Sequence, residues 1–126
     1  NQHDIVTSCV SVGEDVAKIE SNVKVVVDKN NNALYFSRSL IPQGAKDFLY
    51  HVGIYGFTVK ALKQFIDLEQ SAYEKCEKLE QLRALENGMK IGICISNEIP
   101  ISVDTPDDLK KAAMYYDSQY NKTTRL

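Results

Sequence analysis

His51, Gly53 and Tyr55 recur at a spacing of two within a run of residues that favour β-strands. In a strand this spacing places all three on one face, with His51 and Tyr55 about 13 Å apart along the chain. The glycine leaves bare backbone between an imidazole and a phenol, so a polar ligand could lie there and accept their hydrogen bonds. The alternative is a half-buried strand whose ring edges reach water.

Glu77, Glu80 and Gln81 have the spacing i, i+3 and i+4, which places them on one face of a helix. Carboxylates accept several hydroxyl donors, so such a row is suited to a polyhydroxylated ligand. The alternative is a solvated helix face that binds nothing.

Two further charged residues could bind ligands. Arg38 follows a strand-like run, and its planar guanidinium suits a carboxylate or a phosphate, although a lone surface arginine is commonplace. Asp104 precedes a helix start in which Thr105, Asp107 and Asp108 supply the cap and the acidic first turn. With no capping task of its own, Asp104 could take a hard cation such as Mg²⁺.

Alternating and apolar runs predict the elements that position these residues. The strands are expected at Ile5–Val12, 23–28, Ala33–Ser37, 48–58 and 90–96, with an Asn-rich hairpin turn after the second and the last covered on both faces. The helices are expected at 14–20 and 59–67, between a capping box at Ser71 and the stop at Gly88, and after Thr105. The pattern alone leaves α/β and α+β open.

Composition limits the class of protein. The 126 residues include 15 Lys+Arg and 17 Asp+Glu, so the net charge is 15 − 17 = −2, and 44% are hydrophobic. These values are typical of a soluble globular domain and give no indication of a nucleic-acid or membrane partner. Three widely spaced cysteines favour reduced thiols in the cytoplasm, and the start without Met or a signal peptide suggests part of a longer chain. No phosphate-binding glycine motif is present.

Five segments share the order and spacing of the 3-deoxy-manno-octulosonate (Kdo) cytidylyltransferases, or CMP-Kdo synthetases, and the sequence resembles that family over residues 6–113. The segments are 22–28 (NVKVVVD), 33–38 (ALYFSR), 51–57 (HVGIYGF), 79–83 (LEQLR) with 85–88 (LENG), and 103–109 (VDTPDDL). The resemblance implies an α/β fold with the mixed sheet of the sugar nucleotidyltransferases, which is Rossmann-like. It implies the C-terminal half only, with a β-hairpin and flanking helices.

The resemblance also implies cytidylyl transfer from CTP to Kdo, with Mg²⁺, in a homodimer that serves lipopolysaccharide synthesis. The nucleotide loop and a metal strand would lie in an absent N-terminal half, so this half is expected to be inactive alone. The implied sugar ligands are Arg38, His51, Tyr55, Glu77, Glu80 and Gln81, and the implied metal ligand is Asp104. The alternatives are a sialic-acid-type cytidylyltransferase and a non-catalytic dimerisation module.

Overall fold

The computed structural model describes residues 3–123, which form a mixed five-stranded sheet with flanking helices. The strands are β1 (Ile5–Val12), β2 (Lys24–Val27), β3 (Ala33–Ser37), β4 (Phe48–Phe57) and β5 (Ile91–Ser96). The helices are α1 (Glu14–Ala17), α2 (Val59–Ile66), α3 (Ala72–Glu77), α4 (Gln81–Glu86) and α5 (Pro106–Thr123). All five predicted strands are confirmed.

The sheet has the order β3-β2-β4-β1-β5. Strands β1 and β5 are parallel, whereas the pairs β1–β4, β2–β3 and β2–β4 are antiparallel. The predicted hairpin β2–β3 is confirmed, and Asn31 takes the left-handed backbone of its turn with φ 59°. The predicted mixed α/β fold is therefore confirmed.

The main core lies where α2 and α4 cover one face of the sheet. Helix α2 begins at Thr58, whose hydroxyl accepts a hydrogen bond from Ala61 N at 3.1 Å. The buried side chains of this layer come from β1, β2, β3, β5 and the two helices, and they include Ile5, Val25, Phe36, Phe65, Leu82 and Ile91. This packed layer holds the two helices against the sheet, in which β4 carries both His51 and Tyr55.

The predicted single helix between Ser71 and Gly88 is wrong, because the chain forms two short helices. The capping box at Ser71 and Glu74 is present, but Lys78 has φ 56° and ends α3. The break turns Leu79 into the core, where it is 6% exposed, and its N–H still donates to Glu74 O at 3.3 Å. Burial of Leu79 thus outweighs the helix pattern of the sequence.

Two smaller expectations also differ from the structure. Helix α1 ends at Ala17 rather than at residue 20, because the Asn22 side chain bonds Val16 O and closes the turn. Strand β5 is covered only over its first half, because Ile91 and Ile93 are buried whereas Ile95 is 53% exposed. Its outer edge meets the turn of the β2–β3 hairpin, where Asn32 bridges Gly92 and Ile93 N donates to Asn31 O at 2.8 Å.

No helix within residues 3–123 combines the length and the apolar character needed to cross a membrane.

Candidate functional site

A cavity of about 330 Å³ opens between α2, α4 and the sheet. Its floor is apolar and includes Phe57, Phe65 and Ile91. Its polar groups come from three residues that the sequence predicted for one ligand, Tyr55, Glu80 and Gln81. A cavity with an apolar floor and a few convergent polar groups is the usual form of a small-molecule site.

His51 lies behind Tyr55 and fixes its ring. The two ring centroids are 5.5 Å apart in an edge-to-face arrangement, and the ring of Phe36 lies 4.9 Å from His51 on another side. His51 is 7% exposed, and burial lowers its pKa from the ordinary 6.5 to about 4. The imidazole is therefore neutral at pH 7.

The proton of His51 can be assigned from its neighbour Thr7. The Thr7 hydroxyl donates to the carbonyl oxygen of Ile54 at 2.7 Å and reaches that of Val52 at 3.2 Å. Carbonyls only accept, so the single hydroxyl proton is used there. Nε2 of His51, 2.9 Å from Thr7 Oγ, must then carry the ring proton and donate it, which leaves Nδ1 unprotonated.

A bulge in β4 brings His51 and Tyr55 together. Thr7 pairs with Tyr55 and Ser8 pairs with Val52, so Gly53 and Ile54 are extra residues opposite β1. The shared face predicted for His51 and Tyr55 is confirmed, and their rings are in contact rather than separated by a slot. Gly53 instead borders a groove on the other face of the sheet, with Val52 and Ile54.

Tyr55 is a protonated phenol at the cavity wall. Burial raises its pKa to about 12, and the nearby carboxylate of Glu80 acts in the same direction. The phenol therefore keeps its proton and can donate a hydrogen bond to an anionic or carbonyl oxygen. Gln81 is 8% exposed and offers both a donor and an acceptor.

Glu77 does not share a face with Glu80 and Gln81, so that prediction is wrong. The break at Lys78 turns its carboxylate toward β3, where it accepts hydrogen bonds from Ser37 Oγ at 2.9 Å, Tyr35 Oη at 3.1 Å and Arg38 N at 3.3 Å. The pKa of Tyr35 is raised to about 12, mainly by burial and in addition by its hydrogen bond to Glu77. Glu77 thus joins α3 to β3, outside the cavity.

Arg38 lies beside Glu77 and also outside the cavity. Its Nε donates to Glu77 O at 3.3 Å, and its Nη1 donates to Ser21 O at 3.4 Å. Beneath it the fully buried Lys24 donates from Nζ to the backbone oxygens of Arg38, Ile19 and Asn22. Burial lowers the pKa of Lys24, and the Arg38 cation acts in the same direction.

Asp104 is exposed and separate from the cavity. It accepts a hydrogen bond from Ser102 Oγ at 2.8 Å, so it has a partner that the sequence did not indicate. The predicted cap of α5 is confirmed, since Asp108 N donates to Thr105 Oγ1 at 3.1 Å and Thr105 N donates to Asp108 Oδ2 at 3.0 Å. Within residues 3–123 no group of three or more His, Cys, Asp or Glu could hold a metal ion, so Asp104 alone does not form a magnesium site.

Comparison with known proteins identifies the family. The model of the cytidylyltransferase family matches residues 1–91. The chain belongs to the cytidylyltransferase family. This agrees with the resemblance found in the sequence motifs.

Within this family, the chain is similar to curated cytidylyltransferases of one kind. The chain is 58% identical over 118 residues to a 3-deoxy-manno-octulosonate cytidylyltransferase of Rickettsia rickettsii (strain Sheila Smith), covering 94% of this chain and 49% of that protein. It is 56% identical to the protein of the same name from Rickettsia bellii (strain OSU 85-389), covering 93% and 48%. The chain thus spans about half the length of these curated relatives.

A solved structure shares the fold of this cytidylyltransferase chain. It is the structure of CMP:2-keto-3-deoxy-manno-octonic acid synthetase complexed with CTP. The TM-score is 0.89 at 35% identity, over 93% of this chain and 50% of that one. This likeness confirms the predicted sugar nucleotidyltransferase architecture.

Sequence reasoning missed three side chains that shape the site. Thr7 orients His51, Phe65 forms part of the cavity floor, and Arg83 bonds Glu74 across the helix break. The sequence offers little indication of the contact between Glu74 and Arg83. These residues are nine positions apart, and no regular helix brings that spacing onto one face. Their contact depends on the break at Lys78.

Proposed function

We propose that the protein containing this chain transfers a cytidylyl group from CTP to Kdo, giving CMP-Kdo and pyrophosphate. A sugar hydroxyl oxygen bonds to the α-phosphorus of CTP, the bond to the pyrophosphate oxygen breaks, and the hydroxyl proton is lost. The observation that carries the proposal is the cavity lined by Tyr55, Glu80 and Gln81. It lies in a chain that is 58% identical to a relative named 3-deoxy-manno-octulosonate cytidylyltransferase. The nucleotide site is assigned to the part of the protein outside this chain.

The cavity residues have distinct roles in this proposal. Glu80 accepts hydrogen bonds from sugar hydroxyls, and Gln81 both donates and accepts. Tyr55 donates from a phenol that remains protonated, with His51 packed behind its ring. Contacts of Arg38 and Glu77 with the sugar acid remain predictions, because both side chains are bonded to protein groups outside the cavity.

The reaction is tested by pyrophosphate release from the full-length protein with CTP and either Kdo or a sialic acid. We expect release with Kdo and a far lower rate with the sialic acid. A preference for the sialic acid would mean that the substrate is a sialic acid rather than Kdo. No release with either acid would instead favour a module that only dimerises.

The site is tested by Gln81→Ala in the same protein, with Gln64→Ala as the control. Gln64 is an exposed residue of α2 and does not line the cavity. Loss of a buried hydrogen bond of about 1–3 kcal/mol should raise the KM for Kdo roughly 5- to 150-fold and leave the KM for CTP unchanged. Equal KM values for Kdo in the two variants would remove Gln81 from the site.

We also propose that Asp104 is one ligand of a Mg²⁺ ion whose other ligands come from outside this chain and from substrate phosphates. The ion would neutralise phosphate charge when bound. The support is the exposed carboxylate ahead of the capped helix α5. Asp104→Asn should lower turnover by orders of magnitude and shift the Mg²⁺ requirement, whereas Asp107→Asn should do neither. A normal Mg²⁺ requirement in Asp104→Asn would exclude this role.

For the whole protein we propose a cytoplasmic homodimer. The three cysteines are unpaired, as expected in a reducing compartment. Several large apolar side chains are exposed on this chain, among them Ile95 at 53%, Met114 at 72% and Tyr116 at 63%, and pairing would cover part of this surface. Sedimentation of the full-length protein as a monomer would contradict the dimer.

A further inference from the structure

Glu80 and Gln81 form the polar rim of the cavity. Arg83 lies outside the cavity and contacts residues on both sides of the nearby break at Lys78. Its Nε donates to Glu74 Oε2 at 2.9 Å and its Nη2 donates to Oε1 at 2.6 Å, so the pair is bidentate. The two side chains are only 14% and 7% exposed. A second carboxylate, that of Glu80, lies 3.9 Å from the same Nη2. The guanidinium therefore links α3 to α4 chiefly through Glu74, because the Glu80 side chain is 70% exposed and its contact is weak.

This link spans the break between the two helices. Lys78 ends α3 with a left-handed backbone, and Glu80 and Gln81 follow at the start of α4. Neither residue bonds across to α3 through its own side chain in the described contacts. Arg83, one helical turn further along α4, therefore supplies one side-chain link between the two helices, and Glu86 supplies another by accepting a hydrogen bond from Tyr73 N at 3.1 Å.

Arg83 also contacts the opposite wall. Its guanidinium carbon lies 5.0 Å from the ring centroid of Phe65 in α2, within the range of a cation–π contact. The Phe65 ring lies 5.8 Å from Phe57, which lies 6.2 Å from Tyr55. A continuous row of rings therefore connects Arg83 to the phenol at the cavity wall.

We propose that Arg83 is a positioning residue for the sugar acid: through Glu74 and Phe65 it holds the start of α4, which carries Glu80 and Gln81, at the separation from α2 that a polyhydroxylated carboxylic acid requires, without touching that ligand. The inference rests on the proposed function. Lysine cannot replace Arg83 here, because an ammonium group offers neither a planar bidentate fork nor a face that stacks on a ring.

The experiment compares Arg83→Lys, Glu74→Gln and the double variant of the full-length protein with the wild type, and uses Lys63→Gln as the control. Lys63 is exposed on α2 and lines no part of the cavity. We expect Arg83→Lys to raise the KM for Kdo about tenfold, with kcat and the KM for CTP changed less than about twofold. The double variant should match the more affected single variant, because both remove one unit.

A fall in thermal stability with an unchanged KM for Kdo would overturn the proposal, since Arg83 would then be merely structural. If Arg83→Lys does not fold, Glu74→Gln breaks the same bidentate contact and leaves the guanidinium on Phe65. Wild-type inactivity with Kdo would overturn the proposed function instead. Positioning is then decided by NMR, because Arg83→Lys must shift the side-chain amide resonances of Gln81 while Lys63→Gln does not, and unmoved resonances would overturn it.

Discussion

Helices α4 and α5 show two ways in which this chain presents polar side chains. The six-residue α4 buries Gln81, Leu82 and Ala84 against the sheet. The much longer α5 buries none of the side chains described for residues 106–120, and Leu109 is 60% exposed. The difference shows that packing, not helix length, fixes side chains. Gln81 is held in place by packing within this chain, whereas Asp104, ahead of α5, is exposed and its carboxylate bonds only to the nearby Ser102 among the contacts described for it.

The largest difference in stability between the two helices is expected when a leucine in each is replaced by alanine. Leu82 is 1% exposed, so Leu82→Ala should lower the free energy of unfolding by about 2–5 kcal/mol through lost burial and a cavity. Leu109→Ala should change it by less than about 0.5 kcal/mol. Urea unfolding followed by circular dichroism measures both. Equal losses would mean that α5 is packed as tightly as α4.

The two regions should also respond to acid in different pH ranges. His51 has a folded pKa of about 4 against an ordinary 6.5, so the unfolded chain binds the proton first as pH falls. The contribution of neutral His51 to the free energy of unfolding is therefore fully present above pH 6.5. About 3 kcal/mol of it is lost as the pH falls to 4, and His51→Gln should remove this loss.

Helix α5 should respond only at lower pH. The Thr105 hydrogen bond holds the pKa of Asp108 below its ordinary 3.8, so its cap is retained above pH 3.8 and lost as pH falls further. Unfolding curves between pH 7 and 4 report the first change, and NMR shifts of the α5 amides below pH 4 report the second. A common midpoint would contradict the separation of the two regions.

Removing an ion pair should give a smaller contrast. Glu74→Gln leaves the 14%-exposed Arg83 without its bidentate partner and should cost about 1.5–3 kcal/mol. In α5 the Lys110–Asp107 pair is 3.8 Å long with both side chains over three-quarters exposed, and Lys110→Gln should have no measurable effect. Thermal unfolding of the two variants decides the point, and a loss of stability in Lys110→Gln would count against it.

The smallest effects are expected to differ in sign. Lys78→Gly relieves a left-handed backbone at φ 56° and should stabilise the fold by up to about 1 kcal/mol after the entropy cost of glycine. Lys111→Gly introduces glycine within α5 and should destabilise that helix by about 0.5–1 kcal/mol. Amide hydrogen exchange resolves the two sites separately. A loss of stability in Lys78→Gly would show that the side chain matters more than the turn.

Local signals were sufficient for much of the fold. The turn of the hairpin takes its left-handed residue at Asn31, the Ser71–Glu74 capping box forms, and Thr105 and Asp108 cap α5. Each of these depends on residues within a few positions of one another, where side-chain chemistry and backbone conformation are directly coupled. The family motifs extended these local predictions to the correct architecture.

The features that could not be predicted depend on contacts between distant residues. No glycine or proline marks the break at Lys78, which is set by burial of Leu79 and by the donors that Ser37 and Tyr35 offer to Glu77. The site was therefore predicted in part: Tyr55, Glu80 and Gln81 meet at one cavity, whereas Glu77 faces β3.

The buried ammonium of Lys24 makes it a natural reporter of opening of the β2–β3 region. Acylating reagents require a free, accessible amine, and Lys24 is 0% exposed while its Nζ is committed to three backbone oxygens. The other lysines whose side chains the structure describes are exposed. Brief acylation followed by mass spectrometry should therefore modify those lysines and spare Lys24 until this region opens, so the rate of its modification would measure how often the buried amine reaches water.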